Sequence, residues 1–202
     1  MFIHEWDAGS EDEWREYLDT HGFGELVASG RDRDVAVVVP TQFVVAGDSL
    51  LVHFLRQNPI WPAVAENPNV LLSVSGDWAF IPSDWKVVGD EDPRIGIPTT
   101  YYSAVQVVGT AREIDDSDGI AEVLRAQLAV IQPGVDIVDP LEHGGQLRAI
   151  RAMRIEIKTV RAKFKYGGNV DEAHRLAVAE HLAARSGPGD EAAIAHLRSR
   201  LS

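Results

Sequence analysis

Residues 152–160 hold an alternating stretch. Met153, Ile155 and Ile157 fall on one face of an extended chain, and Arg154, Glu156 and Lys158 fall on the other. A period of two demands a strand with one face in a core. Shorter apolar runs repeat along the chain with turn residues between them. Phe23 to Ser29 and Val35 to Val39 flank Ser29-Gly-Arg-Asp-Arg-Asp. Phe43 to Val45 and Ser49 to Phe54 flank Ala46-Gly-Asp, a hairpin turn with glycine. Val70 to Val74 and Trp78 to Ile81 read as a further hairpin about Ser75-Gly-Asp, and Tyr101 to Ile114 as a long strand bent near Gly109.

Helical signals are fewer. Glu11 to Leu18 follows Ser10, with Glu13 placed for a capping box. A helical turn carrying Trp61 lies between Asn58-Pro59 and Asn67-Pro68. Ser117 to Ile131 repeats apolar residues at helical spacing (Ile120, Val123, Leu124, Leu128, Ile131), and Asp115, Asp116 and Asp118 suit the positive end of its dipole. Leu147 to Arg151 reads as a turn of helix leading into a strand, and Lys86 to Ile97 as a surface loop. Asp171 to Arg185 and Glu191 to Leu201 form a helical hairpin about Ser186-Gly-Pro-Gly-Asp. Strands and helices do not alternate as βαβ units require. The expected fold class is mainly β with helices, α+β: a Greek-key-like barrel or closed sheet with peripheral helices. A single domain is expected, with the barrel in 1–170 and the helical hairpin of 171–202 packed on it.

The 202 residues suffice for one sizeable core. No apolar run reaches the ~18 residues that cross a bilayer, and Met1-Phe-Ile-His-Glu-Trp lacks the pattern of a signal peptide. The absence of cysteine excludes disulfides, thiolate metal sites and a cysteine nucleophile. The expected location is the cytoplasm, with no membrane partner. Nineteen Lys and Arg against 31 Asp and Glu give a net charge of −12, which argues against direct DNA binding. One local exception runs from Arg148 to Lys165, where Arg148, Arg151, Arg154, Lys158, Arg161, Lys163 and Lys165 face Glu156 alone. That stripe reads equally as a solvated strand face or as a surface for a phosphate or an acidic partner.

Common enzyme signatures are absent. Gly22-Phe-Gly24 lacks the third glycine of a dinucleotide loop, and neither a phosphate-cradling loop nor a Gly-x-Ser-x-Gly elbow occurs. His174 and His181, seven apart, fit a polar helix face better than a metal site, so no metal is expected. What is left is a set of cationic, hydroxyl and aromatic residues. His53 closes an apolar run and Arg56 follows three residues on, suited to a phosphate or to local capping. Trp78, Phe80, Trp85, Tyr101 and Tyr102 can wall a flat ring or fill a core, and Thr99 and Thr100 can donate hydroxyls or simply favour a strand.

Four blocks carry a resemblance. His53, Arg56, Asn58 and Pro59 form His-x-x-Arg-x-Asn-Pro. Gly76, Ala79, Ile81 and Trp85 match a second block in which Phe80 replaces tyrosine and Pro82-Ser83-Asp84 replaces Ser-Pro-Ser. Ile97-Pro98-Thr99-Thr100-Tyr101-Tyr102 corresponds to Val-Pro-Thr-Trp-Asn-Tyr, and Lys163-Phe-Lys165-Tyr166-Gly167-Gly168-Asn169 to Lys-x-Lys-Leu-Ser-Gln-Asn. In this order, and over nearly the whole chain, they resemble the PaiB-type FMN-binding negative transcriptional regulators. The resemblance implies an FMN-binding split β-barrel and a homodimer with flavin sites near the subunit interface. It also implies FMN contacts from His53, Arg56, Asn58, Ser83, Trp85, Thr99, Thr100, Tyr101, Tyr102, Lys163 and Lys165. Any regulatory role is expected to be indirect, since no helix-turn-helix is evident. Two alternatives stay open: a flavin-dependent small-molecule oxidoreductase, with Tyr102 or His53 as proton donor, and a divergent barrel that has lost FMN.

Overall fold

The computed structural model describes residues 1–199; the expected end of the last helix at Leu201 lies outside them. The chain divides into two compact units. One comprises residues 11–74 and 106–160, the other residues 1–10, 75–105 and those from Arg161 onward.

The first of these units opens with α1 (Glu11–His21). Trp14, Tyr17 and Leu18, three and four apart, bury one face, while Glu11, Asp12 and Glu13 occupy the dipole-favoured first turn. Then follow β1 (Phe23–Ala28), β2 (Val37–Gln42), β3 (Val44–Ala46), β4 (Ser49–Leu55) and α2 (Ile60–Glu66). Three long strands, β5 (Asn69–Ile81), β6 (Thr99–Ile114) and β7 (Ile150–Lys165), run through both units. The sheet order is β2-β1-β5-β6-β7-β4-β3. β1 pairs antiparallel with β2 and β5, β3 with β4 and β4 with β7, including Val44↔Leu51 across the β3–β4 hairpin and His53↔Ala152 between β4 and β7. β2 carries Pro40 at the sheet edge, where a missing N–H costs least.

Between β6 and β7 come α3 (Ser117–Ile131) and α4 (Gly145–Arg148). Asp116 caps α3 by accepting the Gly119 N–H. Ile120 and Val123 join Val44, Leu51, Leu147 and Ala152 in a buried cluster. The buried face of α3 continues through Gln127, whereas Leu128 is only half-buried and Ile131, at the end of the apolar spacing, is exposed. Gln127 is tolerated there because its Oε1 lies 2.7 Å from His53 Nδ1 and its Nε2 donates to the Leu51 carbonyl.

In the other unit, the hairpin expected at Ser75-Gly-Asp does not form: β5 runs straight through it. Asp77 takes a left-handed conformation (φ 49°) inside the strand, a geometry that aspartate tolerates better than most residues. Tyr166 donates to the Asp77 carbonyl at 2.5 Å and Ser103 to the Gly76 carbonyl at 3.1 Å, fixing this irregular point. β6 runs unbroken through Gly109, and a Cβ there would meet the Glu156 carbonyl oxygen at 2.6 Å, so glycine permits close strand contact. The described residues end in α5 (Glu172–Arg185) and α6 (Asp190–Ser199), as the hairpin signal required.

Candidate functional site

Residues 1–10 run beside the end of β7. Ala8 bridges Lys163, Gly9 N–H donates to the Ala162 carbonyl, Lys163 Nζ donates to the Phe2 carbonyl at 3.0 Å, and the Arg161 guanidinium reaches the Met1 carbonyl. This strap brings His4, Trp6 and Asp7 to a small cavity of about 170 Å³. Its other walls are Lys86, Thr99, Tyr101, Lys165, Gly167 and Asn169. His4 stacks on Trp6 with ring centroids 4.3 Å apart.

Cations and donors dominate this cavity. Lys165 Nζ donates to Thr99 Oγ1 at 2.6 Å. Burial, then Lys163 and Lys86, push the Lys165 ammonium below the usual lysine range, with Asp7 opposing. An anion brought close would relieve that penalty. Burial also pushes Tyr101 up to about 12, so its hydroxyl keeps its proton at any ordinary pH. That hydroxyl is fully buried and has no hydrogen-bond partner among the described residues. Gly167 lies beneath it in a left-handed conformation (φ 71°), and a Cβ there would sit 2.6 Å from the Tyr101 oxygen. A chain that is strongly acidic overall therefore gathers lysines around a buried donor that has no acceptor among the described residues.

Of the residues singled out from sequence, Thr99, Tyr101 and Lys165 meet in this cavity. Lys163 is buried beside it, 3.9 Å from Asp7, and its ammonium lies 5.6 Å from the centre of the half-buried Tyr102 ring. Thr100 is half-buried and does not line the cavity. Trp85 stacks on His181 (4.9 Å, 14°) and lies under the Arg185 guanidinium, and the Ser83 carbonyl packs against Gly96. His53, Arg56 and Asn58 belong to the other unit. There Arg56 pairs with Asp115 at 2.5 Å and donates to the Arg148 carbonyl at 2.6 Å, while Asn58 Oδ1 accepts the Ile60 N–H at the start of α2.

The basic stripe is largely engaged as well. Arg151 pairs with Glu113 and Lys158 with Glu156. His4, Trp6, Asp7, Lys86, Gly167 and Asn169 were not chosen from sequence as ligand contacts. The first three reach the cavity only through the strap, and Lys86 only through a 3₁₀ turn at Ser83–Lys86. Among the described residues no cluster of His, Asp and Glu could hold a metal, and no helix is long and apolar enough to cross a membrane.

Residues 1–159 match the model of a family described as "Putative FMN-binding domain". The chain belongs to this FMN-binding family. Its cofactor is accordingly a flavin. Over 187 residues the chain is 25% identical to the protease synthase and sporulation protein PAI 2 of Bacillus subtilis strain 168, covering 89% of this chain and 86% of that protein. Flavocytochrome Anf3 from Azotobacter vinelandii superposes with a TM-score of 0.63 at 21% identity, over 87% of this chain and 78% of its own. The FAD and heme binding protein from Mycobacterium smegmatis gives 0.62 at 21%, over 92% and 82%. The fold is the split barrel that the sequence resemblance implied.

The cavity residues fit one end of an FMN molecule. Two lysines, a threonine hydroxyl and the unpartnered Tyr101 hydroxyl suit the donor demand of a phosphate. About 170 Å³ is below the ~300–1,000 Å³ of a typical ligand pocket, so the cavity does not enclose the tricyclic ring.

Proposed function

We propose that this member of the FMN-binding family is a PaiB-like flavoprotein that seats the FMN phosphate on Lys165, Thr99, Tyr101 and Lys86. The observation that carries this reading is the buried Tyr101 hydroxyl, unpartnered beside the Lys165–Thr99 contact. A phosphate oxygen satisfies the hydroxyl and offsets the desolvation of the ammonium together. The flavin supplies the redox chemistry when bound; the chain's own residues bind and orient it.

The protein acts as a homodimer in this reading, with the ring covered by a second copy. Two features support it: the cavity is too small for the ring, and Phe2, Trp6, Ile95 and Ile97 are exposed in the same unit. A regulatory role is indirect, through a partner and not through operator reading. The net charge of −12 and the pairing of Arg151, Lys158 and Lys163 with acidic groups leave a poor footprint for a phosphate backbone.

Titration of flavin-free protein with FMN and with riboflavin tests the reading. The phosphate contacts should make FMN tighter by about 10–100-fold, the equivalent of ~1.5–3 kcal/mol. Lys165→Met should remove most of that difference. Equal affinity for the two flavins, or no binding of either, would overturn it.

A further inference from the structure

His174 lies between two carboxylates. Its Nδ1 is 2.8 Å from Asp171 Oδ1 and its Nε2 3.1 Å from Glu91 Oε2. A neutral imidazole has one N–H and must turn a lone pair towards the second carboxylate; only the imidazolium donates to both. The Glu91 oxygen that takes Nε2 also accepts the Val88 N–H at 2.9 Å. Val88 stands two residues beyond Lys86, which lines the cavity. One proton on His174 thus bears on the backbone that carries a cavity lysine.

We propose that His174 is a pH-sensitive catch that holds residues 87–91 to the start of α5 and so keeps Lys86 on the wall of the anion cavity. The catch deepens the flavin reading given above and rests on it only for the identity of the ligand. The groups acting on the ring are Glu91 from the loop and Asp171 from the cap of its own helix. Asp171, then Glu91, raise the His174 pKa above the ordinary histidine value. Both carboxylates are held low, Glu91 first by the Val88 N–H and Asp171 first by the His174 N–H, so they stay charged where the ring titrates. His174 is the group that switches. A raised folded-state pKa means the catch is closed below the ordinary histidine value and opens as pH rises through the raised one.

FMN affinity at pH 6 and pH 8.5, compared between wild type and His174→Phe, tests the catch together with amide exchange at Val88 in flavin-free protein. Titration of Lys165 and of the phosphate itself is common to both proteins and cancels in the comparison. Wild type should lose about 5-fold more affinity across the interval than the variant. Its Val88 protection, corrected for intrinsic exchange, should fall over the same interval, whereas the variant should be poorly protected throughout. Equal pH dependence of affinity in the two proteins would overturn the proposal, even if Val88 protection responds. Failure of both proteins to bind FMN would instead sink the flavin reading, and Val88 protection alone would then decide whether the catch exists.

Discussion

Arg185 holds both carboxylate oxygens of Asp190, Nε to Oδ2 at 2.8 Å and Nη2 to Oδ1 at 2.5 Å, across the turn between α5 and α6. The Asp190 side chain is 1% exposed, and it also accepts the Gly187 N–H. Arg185 reaches on to the Phe80 carbonyl and over the Trp85 ring. The pair joins the helical hairpin to β5 and to the turn that follows it.

Asp190→Ala strands the guanidinium and should cost about 2 kcal/mol. That is below the ~3–5 kcal/mol of a fully buried pair because Arg185 keeps a third of its side chain in water. Arg185 holds the Asp190 carboxyl below the usual carboxylate range. The stabilisation is therefore present above the ordinary aspartate value and is lost as pH falls through the lower folded value. Thermal unfolding from pH 2 to 7 should show the variant lacking part of the acid dependence of wild type; parallel curves would contradict this.

Tyr101→Phe should move stability and ligand affinity in opposite directions. Deleting a buried hydroxyl that has no partner among the described residues removes its desolvation penalty, so flavin-free protein should melt at an equal or higher temperature, by up to about 1 kcal/mol. FMN binding, followed by flavin fluorescence, should weaken by about 5–10-fold, one hydrogen bond's worth. A less stable variant with unchanged affinity would make the hydroxyl a structural group.

Arg56→Ala should behave as the loss of a half-exposed ion pair. Its partner Asp115 is 48% exposed, so the melting temperature should fall little, with FMN affinity unchanged. A tenfold fall in affinity would instead bring Arg56 into the flavin site, the role that the His-x-x-Arg-x-Asn-Pro block implies.

Gly109→Ala probes the close strand contact. The added methyl would lie 2.6 Å from the Glu156 carbonyl oxygen, backbone that cannot swing aside, so a loss of ~1–3 kcal/mol in chemical denaturation is expected. A neutral substitution would mean that β6 and β7 separate easily at this point.

Local chemistry made part of the fold legible. The alternation at Met153, Ile155 and Ile157 marked β7, Asn58-Pro59 and Asn67-Pro68 bracketed α2, and Ala46-Gly-Asp marked the β3–β4 hairpin. The reading failed where the deciding partner is distant. Ser75-Gly-Asp has the composition of a turn, yet Tyr166, 89 residues from Asp77, anchors it within a strand. Gln127 is buried because His53, 74 residues away, satisfies it, and no helical periodicity encodes that.

The site follows the same rule. Thr99, Tyr101 and Lys165 lie in recognisable blocks, whereas His4, Trp6 and Lys86 join them only through tertiary contacts of the opening segment and the Ser83–Lys86 turn.

Pro40 gives the outer strand β2 a backbone position without a donor. A foreign strand extending the sheet there can draw no hydrogen bond from the nitrogen of that residue, which discourages runaway fibril-like stacking. Pro40 thereby weighs against self-association by sheet extension at β2.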